Sequence, residues 1–316
     1  MPTLLIANAG GHLQELVELF PRLEPVDHAD PTWVTFDTSQ ARSLLAGADV
    51  VYVPYPHPRD LLITMRHLTC ATRVLWGHRL FSHAISTGSS IAVPFLTLAR
   101  IRGISCHYIE SATRQTLPSL TGRILARTPG IEMYGQVSTW KDPPWHYRGT
   151  VFDGYVTRQA TPTPIKKIVV SVGSSRTYGF RRLLEAVLRE LPGDIDVTWQ
   201  TGSTPVKDLP IRARPEMPSQ ELAAEFAAAD IVITHAGVGV ALLALSVGRC
   251  PVLVPRRMHR GEHIDDHQRE VATELDRRCL AVACEADELA FTTLERAAAR
   301  AVSRVASPPT FRLHTS

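Results

Sequence analysis

The chain has 316 residues, of which 44% are hydrophobic and 21% are charged, and its formal net charge is +3. This length exceeds the size at which one hydrophobic core usually stops growing, so we expect two domains of about 150 residues each. Acidic and basic residues are spread along the whole chain, which excludes a nucleic-acid-binding tail.

Cysteine usage and hydropathy indicate the compartment in which the protein works. No apolar run approaches about 18 residues, and the first residues lack the basic and apolar stretches of a signal peptide. The cysteines have no CxxC spacing and lie mostly in or beside apolar runs: Cys70, Cys106, Cys250, Cys279 and Cys284. We therefore expect buried thiols in a cytoplasmic protein.

In the first half of the chain, short apolar runs alternate with helical patterns. The predicted strands are residues 4–7, 33–36, 50–53, 83–86 and 104–109. Such alternation is typical of a parallel sheet. Residues 157–164 have no periodicity and contain two prolines, which predicts a linker between the domains.

A second series of strands and helices follows this linker. Its predicted strands are residues 168–172, 195–199, 231–234, 252–254 and 280–283, and its predicted helices lie near residues 179–190, 218–228, 238–247, 263–275 and 286–305. We therefore predict an α/β protein with two doubly wound, Rossmann-like domains, residues 1–160 and 161–316. Ligands of such sheets bind beyond the carboxyl ends of the strands, so we expect a cleft between two facing domains. The tail from residue 307 either frays or packs back on the first domain.

The first strand-to-helix turn carries Gly10, Gly11 and His12. The glycines allow a tight bend and close approach of the backbone to a ligand, and the helix start offers free N–H groups. An imidazole in this place titrates near neutrality, which suits a general base. The alternative is a helix-start residue that only hydrogen-bonds the loop.

Two further groups follow predicted strands in this half. Glu110 is expected at the same edge of the sheet, where it either orients His12 and stabilises its charge or pairs with Arg114 four residues later. The loop after the strand at 83–86 contains Thr87, Gly88 and Ser89. This loop either binds a phosphate of an acceptor or only caps the next helix.

Several motifs of the first half occur together in one known family. They are Gly10-Gly11-His12, Trp33 to Thr38, Ser86-Thr87-Gly88, Ala92-Val93-Pro94, Tyr108 to Ser111 and Pro118 to Arg123. With them, residues 3–155 resemble the acceptor-side subunit of bacterial polysaccharide glycosyltransferases, which is similar to the membrane-recruiting subunit of the dolichol-linked N-acetylglucosamine transferase. The resemblance implies the two-domain GT-B fold and a base at His12. The predicted catalytic residues are His12 and Glu110, and the predicted acceptor site comprises Gly10, Gly11, Thr87, Gly88, Ser89 and Arg114.

In the second half, small residues follow two predicted strands. The backbone amides and hydroxyls of one loop suit a diphosphate: Gly173, Ser174, Ser175 and Arg176. The other loop opens a helix, whose free N–H groups and dipole favour a departing anion: His235, Ala236, Gly237, Val238 and Gly239. The alternative for these glycine-rich turns is close packing alone.

A polar segment follows the strand at residues 252–254. Its carboxylate, amide and imidazole groups suit sugar hydroxyls, and it includes Glu262, His263, Asp265, Asp266, His267 and Gln268. His263, Asp265 and His267 raise the question of a metal. Residues two apart point to different faces of the helix predicted here, so we predict no metal and no other cofactor.

These three segments, in this order, resemble the donor-side partner of the same transferases over residues 167–284. The resemblance implies a fusion of the two subunits, acceptor half first, with a family 28-like donor domain. It implies that Gly173 and Ser174 flank the diphosphate of a UDP-sugar, that residues 235–239 bind it, and that Asp266 and Gln268 face the sugar; we add Glu262 and His267 to this donor site. Relatives usually carry a ribose-binding glutamate after His-Ala-Gly, whereas this chain has Leu242 and Leu243.

The predicted function is an inverting, metal-independent glycosyltransferase that uses a UDP-sugar and a lipid-linked saccharide acceptor in polysaccharide or glycoconjugate biosynthesis. The alternatives are a glycosyltransferase for small aglycones, a nucleotide-sugar epimerase and a non-catalytic nucleotide-sugar-binding subunit. A helical pattern at residues 58–80 places leucines and a methionine on one face and arginines on another: Leu61, Met65, Leu68 and Leu75, with Arg59, Arg66 and Arg73. Such a helix either rests peripherally on the inner face of the membrane or is an ordinary solvated helix.

Overall fold

The computed structural model describes residues 1–54, 61–77, 79–140, 142–161, 163–174 and 177–314, with side chains described except at 61–65. Two compact units make up the chain: Met1–Asp153 with Pro308–Ser316, and Gly154–Ser307. This division differs from the predicted boundary at residue 160. The difference arises because short strands near residues 155 and 311 pair with partners that are distant in sequence.

The first unit is built on a parallel sheet with helical connections. In chain order its elements are β1 (Thr3–Ala7), α1 (Gly11–Leu19), β2 (Leu23–Glu24), β3 (Thr32–Phe36), α2 (Ser39–Leu44), β4 (Asp49–Val53), α3 (Leu61–Leu75), β5 (His83–Gly88), α4 (Ala92–Ile101), β6 (Ser105–Ile109), α5 (Leu120–Leu125), β7 (Ile131–Gly135) and β8 (Trp145–Tyr147). The strand order is β4-β3-β1-β5-β6-β7-β8, and neighbouring strands run parallel. All the strands predicted in this half are present. β1 is buried along its length, as expected for a strand covered on both faces.

The second unit repeats this architecture. Its elements are β9 (Tyr155–Gln159), β10 (Lys167–Ser171), α6 (Arg181–Glu190), β11 (Asp196–Gln200), β12 (Ala213–Arg214), α7 (Ser219–Ala228), β13 (Ile231–His235), α8 (Val238–Ser246), β14 (Val252–Val254), α9 (His267–Arg277), β15 (Val282–Ala283), α10 (Phe291–Ala298) and β16 (Arg300–Arg304). The order of the parallel sheet is β12-β11-β10-β13-β14-β15. In both sheets the loops that follow the strands lie at the carboxyl edge, where ligands of such folds bind.

Two predictions for the second half are wrong at their ends. The helix predicted over residues 286–305 ends at Ala298, and β16 follows it as an antiparallel partner of β9. The predicted linker at 157–164 overlaps β9 for the same reason. The pairing supplies the backbone hydrogen bonds that a longer helix would have made internally.

The C-terminal tail packs on the first unit, which decides between the two predicted alternatives. Its strand β17 (Phe311–Arg312) pairs in parallel with β2. Phe311 is fully buried, and the Arg22 Nε donates to the Pro309 carbonyl over 3.0 Å. Burial of apolar side chains holds the tail in place.

Two further predictions concerned the burial of the cysteines and the absence of a membrane-spanning segment. All five cysteines are free thiols, but only Cys106 and Cys250 are buried; Cys70 and Cys284 are half-buried and Cys279 is exposed. It lies in the turn after α9 with φ of 58°. Within the described ranges, none of the helices is long and apolar enough to cross a membrane.

A row of aromatic and imidazole rings crosses the first sheet. The His107 ring lies 5.6 Å from the His83 ring and 6.0 Å from the Tyr134 ring, measured between centroids. His107 has no exposed surface, and burial, followed by the charges of His83 and His314, lowers its pKa to about 3. The folded state therefore keeps this imidazole neutral in the range where an unfolded chain would protonate it.

Acidification is expected to destabilise the fold through His107. Between pH 3 and about 6.5 the unfolded chain binds the proton and the folded chain does not, so the free energy of unfolding falls as the pH falls through this window. For this residue the loss between pH 7.5 and 5.5 is about 1.4 kcal/mol. Urea unfolding of the wild type and His107→Gln at both pH values measures it. An equal pH dependence in the two proteins would contradict the assignment.

Candidate functional site

His12 is tied to the end of the neighbouring strand β5 by two hydrogen bonds. Its Nδ1 lies 2.8 Å from the Thr87 carbonyl oxygen, and the Thr87 hydroxyl donates to the His12 carbonyl over 2.7 Å. A carbonyl oxygen can only accept, so Nδ1 carries the ring proton. The Nε2 atom of the neutral ring is therefore left with the lone pair that a general base needs.

Glycines shape the backbone around this imidazole. Gly10 precedes helix α1 with φ of 96°, and Gly88 follows Thr87 with φ of 121°. A Cβ atom on Gly88 would lie 3.1 Å from the His12 ring and 3.2 Å from the Tyr108 hydroxyl. Only glycine combines this φ with so close an approach, which explains the motif around the turn.

The protonation equilibrium of His12 also suits a base. Burial lowers the pKa of the ring, the Thr87 carbonyl opposes this shift, and the positive charge of Arg114 adds to it. The ring is thus neutral at pH 7. Thr87, predicted in the acceptor site, is itself fully buried and positions His12 instead.

Glu110 has different partners from those predicted. Its carboxylate accepts from the Ser119 backbone N–H and hydroxyl, both over 2.9 Å, and from the Tyr108 hydroxyl over 3.1 Å. Ser119 is the N-cap of α5 and accepts from the Gly122 N–H. The Nδ1 atom of His12, where an orienting carboxylate would bind, is occupied by Thr87. The Glu110 carboxylate therefore fixes the start of α5, and its link toward the His12 turn runs through Tyr108.

Burial has a clear effect on Glu110. It raises the pKa of the carboxyl group, while the hydrogen bonds from Ser119 and Tyr108 and the charge of Arg114 oppose the shift. A Cβ atom added to Gly88 would lie 3.2 Å from the same Tyr108 hydroxyl, so this hydroxyl lies close to the His12 ring. A change at Glu110 is therefore expected to reach His12 as a shift in position.

Glu15 is a buried acid that the sequence analysis missed. It lies one turn after His12 on α1, with no exposed surface. Its carboxylate accepts from the Ser111 hydroxyl, from the Ala112 N–H over 2.9 Å and from Gln136 Nε2 over 2.9 Å. Burial raises its pKa to about 7. These bonds fasten α1, and with it His12, to the loops after β6 and β7.

The remaining residues predicted on the acceptor side lie at the same edge of the first sheet. Gly10 and Gly11 begin α1, after β1. Ser89, with φ of 73°, follows β5, and its carbonyl accepts from the Ala92 N–H over 3.0 Å. Arg114 follows β6, and its N–H donates to the Ser111 carbonyl. The topology thus brings the predicted acceptor residues to three neighbouring strand ends.

In the second unit, Gln200 builds the loop after β10. Its Oε1 accepts from the Ser171 hydroxyl over 2.6 Å and from the Gly173 N–H over 3.1 Å, and its Nε2 donates to the Gly173 carbonyl over 2.9 Å. Gly173 adopts φ of 80°, and Ser174 beside it is exposed. Ser175 and Arg176, also predicted to bind the donor, lie outside the described residues.

The His235 ring lies between two glycines of the donor loops. A Cβ on Gly173 would lie 2.5 Å from His235 Cε1, and one on Gly237 would lie closer still to Nε2. Burial, followed by the charge of Arg256, lowers the pKa of His235 well below its usual value, and a hydrogen bond to the Ser171 backbone opposes this shift. A neutral imidazole is thus packed under both loops.

Helix α8 begins directly after this ring. Gly237 is its N-cap, and Val238 and Gly239 form the first turn, with buried Ala236 just before. The first N–H groups of a helix have no partner within it, so this turn can face an anion. Leu242 and Leu243 are buried in the core, so the ribose-binding carboxylate of relatives has no counterpart there.

Arg256 is a buried cation beside the predicted donor loops that the sequence analysis did not single out. It follows β14, is only 3% exposed, and its Nη2 donates to the Val172 carbonyl over 2.7 Å. Its Nε has no hydrogen-bond partner among the described residues. Burial lowers the pKa of the guanidinium to about 10, so it remains charged at pH 7. This places a buried positive charge beside His235, at the end of three neighbouring strands.

The polar segment predicted to contact the sugar is largely engaged within the protein. Glu262 accepts two bonds of 3.0 Å from Arg182 and is 9% exposed, so its carboxylate holds the start of α6. Gln268 is buried, and its Oε1 accepts from the Arg256 N–H over 3.1 Å. Asp266 accepts from the Met258 N–H over 2.9 Å and is half-buried. Gln268 thus contributes to this site by holding Arg256.

The helix predicted to hold His263, Asp265 and His267 on different faces is wrong at its start. Helix α9 begins only at His267, so the spacing of a helix does not apply to residues 263–266. One ligand atom from each side chain lies within 4.8 Å of the others. Asp265 Oδ1 contacts His267 Nδ1 and lies 3.3 Å from His263 Nδ1. Tyr178 stacks on the His263 ring at 5.5 Å. The prediction that the protein needs no metal stays a prediction.

One protein family and one curated protein match parts of the chain. Residues 167–303 match the model of the glycosyltransferase family 28 C-terminal domain. The chain is also similar to the UDP-N-acetylglucosamine transferase subunit ALG13 of Yarrowia lipolytica, with 40% identity over 74 residues. That match covers 23% of this chain and 36% of the relative, so the chain spans about a third of the length of the curated relative it matches.

Solved structures share the fold of the whole chain. The glycosyltransferase SnogD from Streptomyces nogalater is 16% identical, with a TM-score of 0.56 over 94% of this chain and 90% of SnogD. MnaA from S. aureus with UDP is 12% identical, with a TM-score of 0.57 over 93% of this chain and 94% of MnaA. These likenesses confirm the predicted α/β fold with two Rossmann-like domains. Together the findings support a glycosyltransferase: the chain has the GT-B fold, and its residues 167–303 match the family 28 C-terminal domain.

Proposed function

We propose that the chain is an inverting glycosyltransferase that moves a sugar from a UDP-sugar onto a lipid-linked saccharide. The observation that carries the proposal is the family 28 match, because it contains both glycine-rich loops around His235. UDP is favoured because the curated relative is named a UDP-N-acetylglucosamine transferase subunit and MnaA is seen with UDP. A fusion of acceptor and donor subunits accounts for the His12 site in the same chain.

The chemistry proposed is a single displacement. The acceptor oxygen attacks the anomeric carbon while His12 Nε2 takes the hydroxyl proton, and the bond from that carbon to the diphosphate breaks. UDP leaves with the electron pair, so an α-linked donor gives a β-linked product. Developing charge on UDP is stabilised by the first N–H groups of α8 and by Arg256. These groups supply the positive charge for which some transferases use a divalent metal, so we propose a metal-independent reaction.

The test is an assay with a panel of UDP-sugars and a membrane extract, with the products identified by mass spectrometry. Transfer to the lipid fraction is the expected result. Transfer to small aglycones alone would favour the alternative of a glycosyltransferase for small aglycones. Conversion of one nucleotide sugar into another without an acceptor would favour an epimerase, and donor binding without turnover would favour a non-catalytic subunit.

We also propose that the protein works peripherally on the inner face of the cell membrane. The helix predicted for this contact, α3, supports it only in part. Leu75 is buried while Leu68 is 47% exposed, and Arg66 and Arg73 are exposed. Arg59 and the side chains of Leu61 and Met65 lie outside the described residues.

A second surface gives stronger support. In α5 and the segment just before it, three apolar side chains are exposed: Leu117 at 73%, Leu120 at 66% and Ile124 at 43%. Arg123 and Arg127 are exposed on the same segment. Apolar side chains beside arginines suit a surface of anionic lipid. The N-cap of this helix is the Ser119 held by Glu110, which links the surface to the acceptor side.

The protein is expected to co-sediment with phosphatidylglycerol vesicles at low salt and to be released as the salt concentration rises, because surface charges are screened. The double substitution Leu120→Ser with Ile124→Ser is expected to weaken this binding. Ile101→Ser is the matched control, since Ile101 is 69% exposed in the same unit but lies on α4. No binding at low salt would favour the small-aglycone rival.

A further inference from the structure

A pocket of about 350 Å³ opens in the first unit beside the C-terminal tail. It is lined by two arginines, an imidazole, a hydroxyl and one apolar side chain: Arg148, Thr310, Arg312, Leu313 and His314. None of the lining residues is acidic. The volume lies within the range of small-molecule sites.

The wall formed by the tail is anchored by buried groups. Phe311 and Leu313 are buried, and the Phe311 ring lies 5.7 Å from the Tyr134 ring. The His314 N–H donates to the Tyr134 hydroxyl over 2.7 Å. These contacts, with the β17–β2 pairing, hold Arg312 and His314 at the pocket. The wall of the pocket is thus held in place by buried contacts within the unit.

Among the residues that the structure describes, the two arginines at the pocket form no ion pair with a carboxylate. Arg148 donates to its neighbour's carbonyl and, over 2.7 Å, to Nε2 of His314. Arg312 is exposed and, in the part of the chain that the structure describes, forms no ion pair, although Glu24 is its partner in the β17–β2 register. Guanidinium groups converging without a carboxylate suit a phosphate, which they bind through paired N–H donors.

The place of the pocket in the sheet bears on which phosphate it takes. Arg148 directly follows β8, and His12 follows β1, which lies four strands away at the same edge. Strands are spaced by about 4.8 Å, so the two positions are roughly 19 Å apart. A phosphate bound by Arg148 would therefore be separated from a hydroxyl at His12 by a saccharide.

We propose that this pocket binds a phosphate or diphosphate group and that, given the proposed function, the group is the one that joins the acceptor saccharide to its lipid. His12 would then act on the far end of the saccharide while Arg148 and Arg312 hold the phosphate end. The inference rests on the proposed function for the identity of the ligand. The pocket's preference for phosphate stands on its lining alone.

Calorimetry with inorganic pyrophosphate tests the site directly, on the full chain saturated with UDP so that the donor loops are filled. The wild type is expected to bind pyrophosphate, and Arg312→Gln to bind it about tenfold or more weakly, since a charge-assisted contact is lost. Arg148→Gln is expected to act in the same direction. Arg102→Gln, the same charge change at an exposed residue on the end of α4, is expected to have no effect. Absence of binding to the UDP-saturated wild type, or equal binding by Arg312→Gln, would overturn the proposal.

A second pair of titrations distinguishes the sources of the phosphate. A prenyl diphosphate in detergent micelles is expected to bind Arg312→Gln about tenfold more weakly than it binds the wild type, while co-sedimentation with phosphatidylglycerol vesicles stays unchanged. Weaker vesicle binding with unchanged prenyl diphosphate binding would assign the pocket to a lipid headgroup and overturn the acceptor assignment. UDP affinity is measured in the same samples. If the wild type does not bind UDP, this result counts against the proposed transferase and not against the pocket.

Discussion

Replacing His12 with alanine is expected to lower turnover about 10²–10⁴-fold at saturating donor while leaving UDP affinity unchanged. The ring is held by the Thr87 carbonyl at Nδ1, so the only base it offers is Nε2. UDP is proposed to bind the loops of the second unit, which the substitution does not touch. The measurement is kcat for sugar transfer, with calorimetry of UDP binding to the same variant.

The matched control for this experiment is His28→Gln. His28 is an exposed histidine of the same unit, and its Nε2 bonds only the Phe20 carbonyl, over 2.9 Å. The pH profile gives a second readout, because burial lowers the pKa of His12. Wild-type turnover should persist somewhat below pH 6.5 and then fall as His12 gains a proton, and His12→Ala should lack this acid limb. Near-normal turnover of His12→Ala would eliminate this residue as the base.

Glu110→Gln is expected to cause a smaller loss than His12→Ala. The carboxylate holds Ser119 and Tyr108, and the Tyr108 hydroxyl would lie 3.2 Å from a Cβ on Gly88, beside the His12 ring. The amide keeps an oxygen acceptor for one of these donors. If Glu110→Gln were the more damaging change, the roles of base and positioning residue would have to be exchanged.

The repeated α/β pattern was predictable because buried parallel strands are continuous apolar runs, as at β1 and β13. The short strands were not. β2 and β17 have two residues each, which is too few for a periodic signal, and they form because their partner is present. The same applies to β16, whose residues continue a helical pattern until pairing with β9 overrides it.

The order of residues along the chain predicted which residues lie at the strand ends, but it did not predict their hydrogen-bond partners. His12 and Glu110 follow strands, as predicted, and His235 is the last residue of β13, so all three lie at carboxyl edges. That the partner of His12 is a backbone carbonyl could not be predicted, since every residue has one. Arg256 was missed for a related reason: among several arginines of its segment, only the packing shows which one is buried.

The second large effect is expected at Gly237, where alanine should weaken UDP binding about tenfold or more and destabilise the second unit by about 1–3 kcal/mol. Gly237 has φ of −85°, which alanine adopts without strain. The added Cβ would meet Nε2 of His235, and Gly173 closes the other side of that ring. The ring must therefore push the α8 turn, whose N–H groups are proposed to hold the diphosphate, out of place.

A double-mutant cycle with His235→Ala separates this steric cause from a general weakening of the loop. Without the imidazole, the Cβ on Gly237 meets nothing from that ring, so Gly237→Ala should cost little stability in the His235→Ala background. The two substitutions should then couple by about 1–3 kcal/mol, as residues in direct contact do. Gly193→Ala is the control, because a Cβ there has nothing within 4 Å. The measurements are urea unfolding and UDP calorimetry on all four proteins of the cycle. Additive losses would mean that the glycine is needed for a reason other than the His235 ring.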